Sequence, residues 1–166
     1  DFGRPEVVDD IMQDCLQDLL AEQGEGAGWQ LPRPTTTQTA MAATSALTEK
    51  PPFARPLRKA VLWGGNLAVL TSLVGTPYFP QVKGGVLVLE DIAEHPYRIE
   101  RMLTQLLHAG VLARQKAIVL GQFTQYQLFP NDKGFRLQTV VDWLRSQLKV
   151  PVLTNLPIGH VPTKVV

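Results

Sequence analysis

Glu90 and His160 are the two residues whose side chains are best placed to do acid–base chemistry together. Glu90 follows the apolar residues 86–89, a run opened by glycine that is typical of a strand buried on both faces. His160 comes a few residues after another predicted core strand, 151–154. Because the carboxyl ends of parallel strands meet at one edge of an open sheet, both side chains are expected at that edge. A carboxylate that orients an imidazole is half of a nucleophilic triad, in which the histidine is the base.

Each of these residues also has a simpler interpretation. A glutamate at the end of a strand is often a solvated helix cap or ion-pair partner, and a loop histidine is often only polar surface. The other histidines, His95 in a loop and His108 on a helix, lack the spacing of metal ligands, so no metal site is predicted. Residues 64–66, Gly-Gly-Asn, favour a tight turn over an anion-binding nest, because no lysine follows them as in a phosphate loop.

Hydrophobic periodicity predicts the strands and helices that carry these residues. Strands are predicted at residues 60–63, 86–90, 117–121 and 151–154, and helices at residues 5–21, 67–74, 98–108 and 136–148. Alternating strands and helices imply right-handed crossovers. The predicted fold is therefore α/β, a largely parallel sheet with flanking helices.

Composition narrows the function classes. The 166 residues are 45% hydrophobic and 19% charged, which suits one globular domain, or one domain with an appendage. A net charge of +1 without a basic run gives no indication of nucleic-acid binding. No apolar stretch approaches the roughly 20 residues of a membrane span, and no signal peptide is visible. A single cysteine excludes an internal disulfide.

Six segments, in order, resemble the carboxyl-terminal domain of the LD-carboxypeptidases, the murein tetrapeptide carboxypeptidases that are related to the microcin C self-immunity proteins. The segments are GGNL at 64–67, GTP at 75–77, LED at 89–91, YRIERML at 97–103, GQFT at 121–124 and PIGH at 157–160. The resemblance covers residues 57–166. It implies that residues 1–24 are a helix left from the amino-terminal or bridging region and that residues 25–56 are a linker or long loop. The absence of an initial methionine also suggests a piece of a longer protein.

The resemblance implies a Ser-Glu-His serine peptidase, in which Glu90 and His160 match the family's catalytic glutamate and histidine. The family's serine lies in an amino-terminal domain, in a Gly-aromatic-Ser-Asp context that this chain lacks. Ser45, Ser72 and Ser146 do not lie on a sharp turn after a strand, so none is expected to be the nucleophile. The chain alone is therefore expected to be inactive.

The implied reaction is release of the terminal D-alanine from cytoplasmic murein tetrapeptides in peptidoglycan recycling, without a metal or organic cofactor. The implied partners are the murein peptide, the protein's own amino-terminal domain and a second copy in a homodimer, with no nucleic acid and no membrane span. Gly65 and Asn66 are expected to line the substrate cleft. Two alternatives stay open: an immunity-type peptidase that cleaves a peptidyl nucleotide, and a non-catalytic binding domain.

Overall fold

The structure is a computed structural model that describes residues 10–23 and 57–161. Its helices are α1 (Asp10–Leu20), α2 (Leu67–Ser72), α3 (Pro96–His108) and α4 (Leu137–Gln147). Its strands are β1 (Leu62–Asn66), β2 (Val86–Ile92), β3 (Ala117–Thr124) and β4 (Val152–Leu153). Two short 3-10 helices, Leu112–Arg114 and Pro130–Asp132, lie in the connections.

The four strands form one sheet in the order β1-β2-β3-β4, and every neighbouring pair is parallel. This confirms the predicted α/β fold. Right-handed crossovers between strands in sequential order place their helices on one face of the sheet. Accordingly, α3 packs against both α2 and α4. The loops after the four strands all leave from the same edge of the sheet, and the candidate site lies there.

A leucine-rich core fixes the position of this edge. Leu87 and Leu89 of β2 are fully buried, as are Leu103 and Leu106 of α3. Truncating one such leucine to alanine typically costs about 2–5 kcal/mol, because a cavity remains. The buried leucines of β2 and α3 belong to one core, so β2, which carries Glu90, is packed against the interior of the domain.

The prediction of a tight turn at residues 64–66 is wrong, because β1 continues through both glycines to Asn66, opposite Glu90. The physical reason is close approach of the two strands. Gly64 has φ +114°, and a Cβ there would lie 2.1 Å from the Val88 carbonyl oxygen. Similarly, β2 extends past its predicted end, so Glu90 and Asp91 lie within the strand.

The predicted helix at residues 5–21 overlaps α1, whereas its first five residues lie outside the described residues. The predicted linker at residues 25–56 also lies outside them. Within residues 10–23 and 57–161, no helix has the length and apolar character needed to cross a membrane.

Candidate active site

Glu90 and His160 lie within hydrogen-bonding distance although they are 70 residues apart in the chain. His160 Nδ1 is 3.0 Å from Glu90 Oε2. The Glu90 side chain is 9% exposed and that of His160 is 46% exposed. An ionised carboxylate can only accept a hydrogen bond, so Nδ1 carries the hydrogen and donates a hydrogen bond to Glu90. In the neutral ring, Nε2 then keeps its lone pair and is the nitrogen that can act as a base.

A β-bulge shapes the sheet beside Glu90. The pairing of β2 with β3 shifts from Leu89 opposite Leu120 to Asp91 opposite Phe123, so Gly121 and Gln122 together face Glu90. Such bulges re-aim side chains and are common next to active sites. A Cβ on Gly121 would lie 2.5 Å from the Ile158 carbonyl oxygen and 3.3 Å from Glu90 Cβ. Glycine at 121 is therefore what allows the segment before His160 to reach across β3.

The segment 155–160, the histidine loop, is bound to β3 by main-chain hydrogen bonds. The Leu156 N–H donates to the Leu120 carbonyl at 3.3 Å, and the Gln122 N–H donates to the Ile158 carbonyl at 2.8 Å. Gly159 has φ +137°, and a Cβ there would lie 2.9 Å from the Gln122 carbonyl oxygen. The histidine loop thus packs closely against the bulge, and this packing places His160 beside Glu90.

Asp91, the second acid of the pair, has a structural role. Its side chain is buried and accepts three hydrogen bonds of 2.9 Å, from Asn66 Nδ2 and from the N–H groups of Ala68 and Ile92. The carboxylate therefore ties the start of α2 to β2. Among the two adjacent acids, Asp91 orders the site edge and Glu90 contacts the histidine.

The predicted substrate-binding residues Gly65 and Asn66 lie at the carboxyl end of β1. Asn66 caps α2, accepting at Oδ1 from the Val69 N–H at 3.0 Å while its Nδ2 donates to Asp91. Both ends of its amide are thus engaged within the chain. Gly65 has φ +134°, and no described atom lies within 4 Å of the position a Cβ would take. Their contact with substrate remains a prediction.

The second described histidine–carboxylate pair was not anticipated from the sequence. His95 Nε2 lies 3.1 Å from Asp132 Oδ2, and His95 Nδ1 accepts from the Tyr97 N–H at 3.4 Å. Both ring nitrogens are engaged, so this pair is a clamp between the start of α3 and the loop after β3. The one available signal was Pro96, because proline favours the first helical position and the preceding residue is then the cap.

This clamp predicts how stability depends on pH. The Phe129 N–H donates to Asp132 at 2.6 Å, and together with the His95 hydrogen bond it holds the pKa of Asp132 below its ordinary value of 3.8, against the opposing effect of burial. A lowered folded-state pKa stabilises the protein above the unfolded-state pKa, and this contribution is lost as the pH falls through the folded-state value. We expect the difference in the free energy of urea unfolding between the wild type and Asp132→Asn, measured at about pH 5, to shrink as the pH is lowered to about 3. A difference that stays the same or grows over this interval would contradict this.

The described serines have no geometry for attack. Ser72 Oγ donates to the Val69 carbonyl at 2.7 Å and Ser146 Oγ to the Trp143 carbonyl at 2.6 Å, each within its own helix. Ser45 lies outside the described residues. Over residues 10–23 and 57–161, no cluster of three or more His, Cys, Asp or Glu side chains could hold a metal ion.

Over about 60% of its length, the chain is similar in sequence to carboxypeptidases. It is 35% identical to the murein tetrapeptide carboxypeptidase of Pseudomonas aeruginosa over 103 residues, which are 61% of this chain and 33% of that protein. The crystal structure of the muramoyltetrapeptide carboxypeptidase from Oxalobacter formigenes matches with a TM-score of 0.62 and 51% identity, covering 64% of this chain and 37% of that one. The chain spans about a third of the length of the curated relatives it matches.

The fold extends to a more distant protein. The wild-type microcin C7 self immunity protein matches with a TM-score of 0.60 over 92% of this chain and 48% of that one, at 20% identity. The model of one peptidase family, described as the LD-carboxypeptidase C-terminal domain, matches residues 59–166. With this match over the strands, the bulge and the histidine loop, the chain belongs to the LD-carboxypeptidase family, of which it carries the carboxyl-terminal domain.

Proposed function

We propose that Glu90 and His160 are the acid and the base of a Ser-Glu-His triad in an LD-carboxypeptidase. The complete protein would release the terminal D-alanine from murein tetrapeptides in the cytoplasm, as part of peptidoglycan recycling. The observation that carries the proposal is the 3.0 Å contact between His160 Nδ1 and Glu90 Oε2, which leaves Nε2 to act as the base. The names of the relatives from Pseudomonas aeruginosa and Oxalobacter formigenes support the murein tetrapeptide as substrate.

In the proposed reaction, each proton has a donor and an acceptor. His160 Nε2 takes the proton of the serine hydroxyl as its oxygen attacks the scissile carbonyl, and Glu90 stabilises the imidazolium that forms. His160 then gives that proton to the nitrogen of the departing D-alanine, which leaves an acyl-enzyme. In the second half, His160 takes a proton from water as the water oxygen attacks the ester carbonyl. It then gives that proton to the departing serine oxygen, which regenerates the hydroxyl and the neutral imidazole and releases the shortened peptide as its carboxylic acid. These steps use only the triad and a water molecule.

The nucleophile belongs, in this proposal, to an amino-terminal domain that folds against the edge of the sheet carrying His160. The described serines support this, because both lie on helices and donate to carbonyls of their own helix. The chain by itself is then inactive, and the complete protein is a homodimer whose site lies between the two domains of each subunit. Gly65 and Asn66 border the cleft in which the peptide binds.

The non-catalytic alternative has less support than the peptidase. A purely binding domain gives no reason for a buried carboxylate to orient an imidazole whose second nitrogen has no hydrogen-bond partner among residues 10–23 and 57–161. The clamp of His95 and Asp132 illustrates the contrast, because there both ring nitrogens are engaged. The likeness to the microcin C7 self immunity protein, at 20% identity, supports the common fold.

A domain exchange tests the proposal. In a chimera, residues 59–166 would replace the matching domain of the Oxalobacter formigenes enzyme, the solved relative with 51% identity. We expect the chimera to release D-alanine from the muramoyl tetrapeptide, measured by a coupled D-amino-acid assay, with the parent enzyme as the positive control. A folded chimera that releases none would contradict the proposal. D-alanine release by the 166-residue chain alone would contradict the placement of the nucleophile.

A further inference from the structure

We infer that Gln122 is the positioning residue for His160, an inference that rests on the proposed function of the site. Gln122 lies in the bulge of β3, and its side-chain Nε2 donates to the Leu156 carbonyl at 3.1 Å. Its main-chain N–H donates to the Ile158 carbonyl at 2.8 Å. One residue thus holds the histidine loop at two points, two and four residues before His160.

The side-chain hydrogen bond acts on the turn that aims the loop. The Leu156 carbonyl accepts from Gln122 and also from the Ile158 N–H at 2.8 Å, so it closes a tight turn around Pro157. The carbonyl has no other described donor. Loss of the Gln122 amide would leave this turn to the proline and a single main-chain bond. Residue 156 would then be bound to β3 only through its N–H, which donates to the Leu120 carbonyl at 3.3 Å.

Close to His160, the described main-chain hydrogen bonds are that of the Gln122 N–H to the Ile158 carbonyl at 2.8 Å and that of the Val161 N–H to the Gly159 carbonyl at 3.0 Å, and only the first reaches β3. Thr124 Oγ1 also donates to the His160 carbonyl, at 3.4 Å, a long hydrogen bond like that of the Tyr97 N–H to His95. Gly159 has no side chain, and the His160 side chain is 46% exposed. The Glu90–His160 contact therefore depends on where the preceding residues hold the backbone, and misplacement of a catalytic group by about 1 Å can cost roughly 100-fold in rate.

The tautomers of two histidines provide a direct measurement on the 166-residue chain. The hydrogen bonds require a proton on Nδ1 of His160 and on Nε2 of His95. Long-range ¹H–¹⁵N correlation spectra at about pH 8.5, where an ordinary imidazole is neutral, distinguish the two forms. We expect opposite tautomers for His160 and His95 in the wild type. Since His95 does not contact the histidine loop through any described hydrogen bond, it is an internal reference.

The decisive variant is Gln122→Met, which keeps the length of the side chain and removes its donor. We expect the ratio of the Nδ1–H to the Nε2–H form of His160 to fall about tenfold, because the displaced ring loses its charge-assisted hydrogen bond to Glu90. The tautomer of His95 should not change. Gln138→Met is the matched control, because Gln138 is exposed and its amide donates to Asp142 within α4. Gln122→Glu, which also lacks the donor, should give the same result and serves if the methionine variant does not fold.

The outcomes separate the two proposals. An unchanged His160 tautomer in Gln122→Met or Gln122→Glu, with the wild type showing the Nδ1–H form, overturns the positioning role and leaves the triad proposal standing. Absence of the Nδ1–H form in the wild type overturns both. An inactive chimera with the predicted tautomer changes contradicts the peptidase function alone, and the role of Gln122 in orienting His160 is then still supported.

Discussion

Replacing His160 with alanine in the active chimera should lower kcat by about 10⁶-fold, and Glu90→Gln should lower it by about 10⁴-fold. Without His160, the serine has no base and the leaving amine has no acid. With glutamine at 90, the imidazole loses the buried anion that selects its tautomer and stabilises its protonated form. The measurement is the rate of D-alanine release at saturating tetrapeptide, where binding does not limit the rate.

The order of the two effects separates the roles of the two residues. The histidine takes part in every proton transfer, whereas the glutamate acts through the histidine, so the first loss should be the larger. His108→Ala is the matched control, because His108 is exposed in the last turn of α3. Its activity should equal that of the unchanged chimera. Activity of His160→Ala within tenfold of the unchanged chimera would show that another residue is the base.

Gly121→Ala should disrupt the site through one added methyl group. The new Cβ would lie 2.5 Å from the Ile158 carbonyl oxygen, a main-chain atom that can move only with the histidine loop. Overpacking of this kind costs about 1–3 kcal/mol, and we expect that loss in urea unfolding of the 166-residue chain. Displacement of His160 should also reduce kcat of the chimera by about 100-fold or more.

Gly110→Ala is the control that separates a loss of stability from a change in the geometry of the active site. Gly110 follows α3 with φ +69°, and no described atom lies within 4 Å of its would-be Cβ. Alanine there should cost about 1 kcal/mol through backbone strain alone and leave kcat unchanged. If Gly121→Ala also keeps full activity, then the close approach of the histidine loop is not required for the reaction.

The predicted secondary structure agrees with the described fold where the pattern is local. The apolar stripe of α3 and the continuous apolar runs of β2 and β3 are properties of short segments, and they were enough to predict a parallel α/β sheet. Helix ends were also readable, as at Gly110. The failures were at features that involve a partner strand. The extension of β1 through Gly64 depends on the Val88 carbonyl, which no pattern near residue 64 specifies.

The location of Glu90 and His160 at the same edge of the sheet could be predicted from the sequence, because strand order and handedness restrict where successive loops emerge. Their contact could not be predicted and is seen only in the folded chain. The contact requires a bulge in β3, glycines at 121 and 159, and a glutamine that fastens the histidine loop. Register shifts and close backbone approaches arise between segments distant in the chain, so the local sequence carries no signal for them.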